Sequence, residues 1–364
     1  MNKDVYEKAL EIFENHYNIS DHNIDEKYIT LYCNILAGLG QKDFINKKFK
    51  YLLQNHKYQV IKKHYSLWLL ENNFFNDGFK YYRSRLSYTQ QELIKPDNLT
   101  FNQLKNKNLL VIGDQGIGDQ IFYLRFIKEI KKVVNNVTIA VDIKIIPLIE
   151  KFFPDYQVIA KENLDDKTKI LKHNIEIIQY LGDLPGVLNF DIGQIDNYVF
   201  NIDNHTSEQK EKKIKRIGIS WNSKANELEN HKSISLEAVE QLIRKSNDVF
   251  VNLQYDNFEE IEILKKYDNF EASDEINKKD DLLSLSKLID SCDYVITVSN
   301  STAHLCGLKN KKTFLLLPNI KKALWYWHQA DNNFSSWYPS IRIINLKNNL
   351  TENIVQEIFS LIKL

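Results

Sequence analysis

Glycine is scarce in this 364-residue chain, at eleven residues, and three of them, Gly113, Gly116 and Gly118, fall close together. Cysteine is scarcer. Cys33, Cys292 and Cys306 are the three present, with no Cys-x-x-Cys spacing, which argues against a disulfide framework or a zinc site. There is no excess of charge of either sign, because Lys+Arg and Asp+Glu both number 48. A net field that would draw the chain to nucleic acid or an anionic membrane is therefore not expected. Nowhere do about 18 apolar residues run together, so no membrane span is expected. The N-terminal MNKDVYEKALEIFENHYN lacks an apolar signal core, and a soluble cytoplasmic protein is the expectation. What the chain does have is 43% hydrophobic and 12% aromatic content, enough for two or three domains with sizeable cores.

Those glycines sit in the most informative stretch, NLLVIGDQGIGDQIFYLRFIKEIKKV from Asn108 to Val133. It reads as a buried strand over Leu109 to Ile112, a glycine loop, and an amphipathic helix beginning near Asp119. A strand that feeds a helix through a tight glycine turn builds a ligand crevice in α/β sheets. Before it, residues 1–97 show helical periodicity. Phe49-Lys50-Tyr51 is echoed by Phe79-Lys80-Tyr81 at about the period of helix-pair repeats, which predicts a helical repeat domain offering a surface to another chain or a packing cap. Lys95-Pro96-Asp97-Asn98 reads as a linker. From there short strands and helices alternate, and the pattern predicts two doubly wound α/β lobes, 98–212 and 213–345, joined through the charged SEQKEKKIKR and followed by a terminal helix over 346–364.

Four places can carry chemistry. The first is the loop from Gly113 to Asp119. It is not a dinucleotide fingerprint, since Ile121 stands where the third glycine belongs, so a nicotinamide or flavin site is disfavoured. Asp119 is expected either to cap the helix start or to act as a general base on an acceptor hydroxyl. The second is Ser299-Asn300-Ser301-Thr302-Ala303-His304 after the strand YVITV. Small hydroxyl residues at a strand-to-helix turn offer backbone N–H groups to a diphosphate, or Ser301 or Thr302 simply caps the helix. His304 is expected to bind phosphate or to pack beneath that helix. The third is Ser220-Trp221-Asn222-Ser223-Lys224 with His231-Lys232-Ser233 downstream, where Lys224 or Lys232 would neutralise phosphate charge. The fourth is the aromatic run from Leu324 to Tyr338, read mainly as an inter-lobe core. Asp-x-Asp is absent, so no metal is expected; backbone amides and cations would do a metal's electrostatic work.

Taken in order, GDQGIGDQIFYLRFI, GISWNSKANELENHKSISLE, VNLQYDNFEEI, DYVITVSNSTAHLCGLKNKKTFLLLP, LWYWHQ and SSWYPSIRII resemble bacterial glycosyltransferases with an N-terminal tetratricopeptide region. These are similar to the heptosyltransferase family and, more distantly, to the protein O-GlcNAc transferases. HYSLWLLENNFFNDGFKYYRSRL resembles the last tetratricopeptide repeat before the transferase part. The resemblance implies a GT-B fold, two Rossmann-like lobes facing a cleft behind a helical TPR-like domain. It implies inverting, metal-independent transfer of a sugar from a nucleotide donor to a glycan, lipid-linked or protein acceptor, with no cofactor. By the same resemblance Asp119 is the base. Gly116, Ile117, Gly118 and Gln120 form the acceptor-side loop. Trp221, Asn222, Lys224, Lys232, Gln254, Ser299, Asn300, Ser301, Thr302 and His304 hold the donor. Ser299 stands where the family's donor loop has Asp. A non-catalytic repeat scaffold with a degenerate nucleotide-binding body is the competing expectation.

Overall fold

The computed structural model describes residues 3–92, 94, 99–164, 174–198, 214–223, 232–318, 324–327, 333–346, 355–356 and 358–360. The chain divides into two compact units, Met1–Leu104 with Gly182–Gln194, and Lys105–Leu181 with Ile195–Leu364. The 95–98 stretch, most of SEQKEKKIKR, Lys224 and much of the terminal helix lie outside the described residues.

The first unit consists of helices α1 (Lys3–His16), α2 (Glu26–Gly38), α3 (Lys42–Asn55), α4 (Gln59–Glu71), α5 (Phe75–Tyr82) and α6 (Tyr88–Glu92). One apolar stripe per helix turns inward. On α2 it is Ile29, Cys33 and Leu36, all fully buried, and on α3 Ile45, Phe49 and Leu52. The echoed aromatics do equivalent work in different places. Phe49 stacks on Tyr65, and Phe79 meets Phe190 edge-on. Phe190 belongs to 182–194, which follows the first sheet in sequence yet packs with these helices. A short helix there, Leu184–Val187, buries Leu184 and Val187, and Asp183 pairs with Arg85 at 2.7 Å with both side chains almost inaccessible.

The second unit holds two sheets, each wholly parallel. The first is built from β1 (Asn108–Ile112), α7 (Ile117–Tyr123), α8 (Ile127–Lys131), β2 (Asn136–Val141), α9 (Ile146–Phe152), β3 (Gln157–Ala160) and β4 (Ile177–Tyr180), with strand order β3-β2-β1-β4. The second comprises β5 (Arg216–Ser220), α10 (Leu236–Arg244), β6 (Val249–Asn252), α11 (Phe258–Leu264), β7 (Phe270–Glu271), α12 (Leu282–Asp290), β8 (Tyr294–Val298), α13 (Ser301–Leu308), β9 (Thr313–Leu317) and β10 (Ile341–Asn345), in the order β10-β9-β8-β5-β6-β7. The central strands are unbroken apolar runs because both faces are covered. All of β8, YVITV, is buried, as is all of β9.

In each sheet the winding reverses once. Successive strands step outward from β1 to β3, then β4 returns to the other side of β1. Likewise β8 returns beside β5, with Ser220 level with Thr297. Ligand crevices open beyond the carboxyl ends of the strands at such reversals, which is where the loops after β1, β5 and β8 lie. Helices α7 and α13 pack on one another, and the aromatic segment wraps their junction. Phe122 of α7 stacks on Tyr326 and meets Trp325 and Trp337 edge-on. All three tryptophans of the run, with Tyr326 and Tyr338, are buried.

Candidate functional site

The loop after β1 is shaped by Gln120. A methyl group on Gly113 would lie 2.4 Å from the Gln120 Oε1, and that oxygen accepts the Asp142 backbone N–H at 3.0 Å. Gln120 is fully buried. It ties the loop to the end of β2 and does not line the cavity beside it. Gln115 takes a left-handed φ of 60°, and the chain then enters α7 at Ile117, two residues before the expected start near Asp119. Asp119 thus lies in the first helical turn, where its Oδ2 accepts the Gly116 N–H at 3.1 Å and its Oδ1 accepts the Tyr326 hydroxyl at 3.0 Å. Capping the helix start leaves the carboxylate at the cavity wall, half-buried. Burial pushes its pKa above the ordinary carboxylate range, while the Tyr326 and Gly116 hydrogen bonds pull the other way and the nearby Asp114 charge adds to the rise.

That wall faces a cavity of about 350 Å³. The turn after β8 lines the same cavity. Asn300, the residue before α13, is the helix cap; Ser301 and Thr302 are not. Its Oδ1 accepts the Ala303 N–H at 3.2 Å, and its Nδ2 donates to the Ser220 Oγ at 2.8 Å. Ser299, Asn300, Ser301 and His304 line the cavity, whereas Thr302 is buried behind them. The Ser299 Oγ accepts the indole N–H of Trp327 at 2.8 Å, so its own hydroxyl hydrogen is left to donate elsewhere.

The loop after β5 is organised from behind by Gln254. Its buried Oε1 accepts from the Ser220 hydroxyl and from the backbone N–H groups of Trp221 and Asn222, at 3.0, 3.1 and 2.9 Å. Trp221 is a core residue whose indole donates to Glu260 at 2.6 Å. Asn222 accepts from Ser233 at 2.8 Å. None of these three lines the cavity; Ser223 and Lys232 do.

His304 has one edge in the cavity and the rest of its ring in the aromatic core. Its Nδ1 lies 3.0 Å from the Tyr338 hydroxyl, and Trp327 covers its face at 4.7 Å between ring centroids. Burial, aided by the charge of Arg125, pushes the imidazole pKa down to about 3. Arg125 is itself buried. It donates to the carbonyls of Phe122 and Trp337, both at 2.9 Å, and lies over the rings of Phe122 and Tyr338. Among the described residues it has no carboxylate partner.

The same cavity is lined by residues that pattern reading did not single out. Lys278, nearly buried, donates from Nζ to the carbonyls of Ala272 and Ser273 at 3.1 and 2.6 Å. An ammonium has three hydrogens, and among the described residues no carboxylate takes the third. Burial lowers the pKa of Lys278. Tyr255 lines the cavity together with Ser301. Lys144 joins from the first sheet and pairs with Asp280 of the second at 2.8 Å. Lys278 sits in the charged run NKKDD, which reads as a solvated turn; only the folded chain shows it turned inward.

No family model matches the chain. Among curated proteins it is similar to protein FlbA of Caulobacter vibrioides, at 26% identity over 299 residues, which is 73% of this chain and 48% of that protein. The chain thus spans about half the length of that relative. Among solved structures it is similar to the E. coli ADP-heptose LPS heptosyltransferase II, at 15% identity and a TM-score of 0.45, covering 70% of this chain and 98% of that one. E. coli heptosyltransferase WaaC with ADP-2-deoxy-2-fluoro heptose gives 10% identity and 0.46 over 70% and 99%. A family 9 glycosyltransferase of Veillonella parvula gives 12% and 0.44 over 70% and 92%. At these values the likeness assigns neither a substrate nor a mechanism. Among the described residues no helix is long and apolar enough to cross a membrane.

Proposed function

We propose that the chain is a GT-B glycosyltransferase that moves a sugar from a nucleoside diphosphate to an acceptor hydroxyl, with inversion and without a metal. One observation carries this. A single cavity sets the Asp119 carboxylate against a turn of donors, Ser299 to Ser301, backed by Lys232 and Lys278. The donor's phosphates belong at the β8–α13 turn, where free backbone N–H groups and the helix dipole favour negative charge. Lys232 and Lys278 add two cations to that wall, so the charge building on the departing nucleoside diphosphate meets fixed positive groups as the bond to the anomeric carbon breaks. Ser299 suits that wall better than an acidic residue would, because its hydroxyl donates to an oxyanion.

In the same cavity Asp119 accepts the acceptor's hydroxyl proton while the oxygen attacks the anomeric carbon. A carboxylate is acceptor-only when ionised, and its elevated pKa makes it a stronger base than an exposed aspartate. With one carboxylate placed for one displacement, the anomeric centre inverts.

The test is a donor screen followed by a variant. Purified protein is incubated with common nucleotide sugars, release of nucleoside diphosphate is followed, and Asp119→Asn is compared with wild type on the best donor. Turnover should fall by roughly two to four powers of ten with donor affinity retained. Near-wild-type turnover in the variant would remove Asp119 from the base role. Failure of every donor to bind would remove the transferase assignment itself.

A further inference from the structure

The hydroxyl of Tyr338 has a single hydrogen, and it sits 3.0 Å from Nδ1 of His304 with both residues buried to 2% exposure. Two arrangements satisfy that contact: the phenol donates to a bare Nδ1, or a protonated Nδ1 donates to the phenol oxygen. The neighbours choose between them. Arg125, whose guanidinium lies 4.4 Å from the Tyr338 ring centroid, carries donors only and cannot take the phenol's hydrogen. Among the described residues no acceptor other than Nδ1 lies within hydrogen-bonding distance of that hydroxyl. The second arrangement would bury an unpaired O–H, a fault that lowers its population roughly tenfold or more. The phenol therefore donates, Nδ1 is bare, and the imidazole's one proton sits on Nε2.

His304 lines the cavity beside Gly118, and the Nε2–Cδ2 edge of its ring is the edge turned toward Gly118. A methyl group on Gly118, a cavity residue, would lie 2.7 Å from Cδ2 and 3.4 Å from Nε2 of His304. Any side chain at 118 would press on that edge. The doubly protonated ring is suppressed by burial and by Arg125, and the other charged or titratable groups near the ring are Tyr326, Tyr338 and, beyond Tyr338, Asp119.

We propose that Tyr338 is a positioning residue that fixes His304 as the neutral Nε2–H tautomer, and that this N–H is a donor to a phosphate oxygen of the diphosphate in the cleft. The proposal rests on the transferase assignment for its ligand but not for its tautomer. A neutral donor of fixed direction acts differently from the lysines around it: it rewards an oxygen at one place, and it can return no proton-transfer chemistry of its own because Nδ1 is occupied.

The experiment is long-range 1H–15N correlation spectroscopy on protein labelled at its nine histidines, with His304 assigned from the signal lost in His304→Gln or, should that variant not fold, His304→Asn. In wild type His304 should show one pyrrole-type Nε2 and one pyridine-type Nδ1, unchanged from pH 7 to pH 5. In Tyr338→Phe, which keeps the ring and removes the hydroxyl, the pattern should become an average of both tautomers. Inorganic pyrophosphate, its binding followed by calorimetry, should move the wild-type Nε2 proton downfield. A protonated Nδ1, or an averaged pattern in wild type, overturns the tautomer. Pyrophosphate that binds without moving that proton overturns the donor role alone. Pyrophosphate that does not bind overturns the donor role together with the diphosphate site, whatever the tautomer.

Discussion

Tyr326→Phe isolates one hydrogen bond at the proposed base. The phenol donates to Asp119 Oδ1 at 3.0 Å, and a donor to a carboxylate stabilises its ionised form by about 1.5–3 kcal/mol. Removing the hydroxyl leaves the ring in place against Phe122 and His304, so the packing survives and the loss falls on the anion. At about 1.36 kcal/mol per pH unit, the acid limb of the rate profile should move up by about one to two pH units. The sign follows from the role. Asp119 must be ionised to accept the proton, its carboxyl already titrates above the ordinary range because of burial, and activity is lost as pH falls through that titration. Weakening the anion further starts the loss at higher pH, with the high-pH plateau lowered much less. The assay is turnover on the best donor between pH 4 and 9 for both proteins. An unmoved acid limb, with the plateau reduced, would refute the reasoning by showing that the limb belongs to another group.

Other substitutions read other parts of the molecule. Gly118→Ala puts a methyl group 2.7 Å from the boxed-in His304 ring; it should cost about 1–3 kcal/mol in urea unfolding and weaken pyrophosphate binding in calorimetry. Lys278→Met removes an inward cation while keeping most of the side chain, and should weaken pyrophosphate about ten- to a hundredfold, since a hydrogen bond to a charged group is worth about 1.5–3 kcal/mol; unchanged affinity would place Lys278 outside the anion site. Asp183→Ala strands the buried Arg85 guanidinium of the first unit and should destabilise that unit by about 3–5 kcal/mol, read as an earlier loss of helical signal in urea.

The sequence exposes what is local. A strand, a glycine loop and a helix are contiguous between Asn108 and Tyr123, and the hydroxyl-rich turn after YVITV is contiguous too, so both showed themselves through composition and spacing. What it hides is partnership across distance. Asn300 and Gln254 resemble ligand contacts in a list of polar residues, yet their amides are largely spent on Ser220, Asn222 and neighbouring backbone. Gln120 is spent in the same way on the end of β2. Lys278 is the converse, a lysine lost among lysines until the turn after β7 gives it two carbonyls to hold. Most strands were legible as apolar runs between turn residues, but the two-residue β7 has too little pattern to announce itself, and the five-residue β10, which follows the aromatic run, was not read as a strand.

The placement of 182–194 bears on how the chain is made. Asp183, Leu184 and Phe190 close the core around Arg85, Phe75 and Phe79, but a ribosome delivers them only after β1 to β4. The helices must wait with those aromatics uncovered while the first sheet emerges, since domains generally fold as units during synthesis. The sheet is thus an insertion inside the helical unit's chain path, and its collapse shortens the loop that the late segment must close. A fragment ending at Leu104 would lack that closing piece and expose an aromatic face, the kind of surface that chaperones hold.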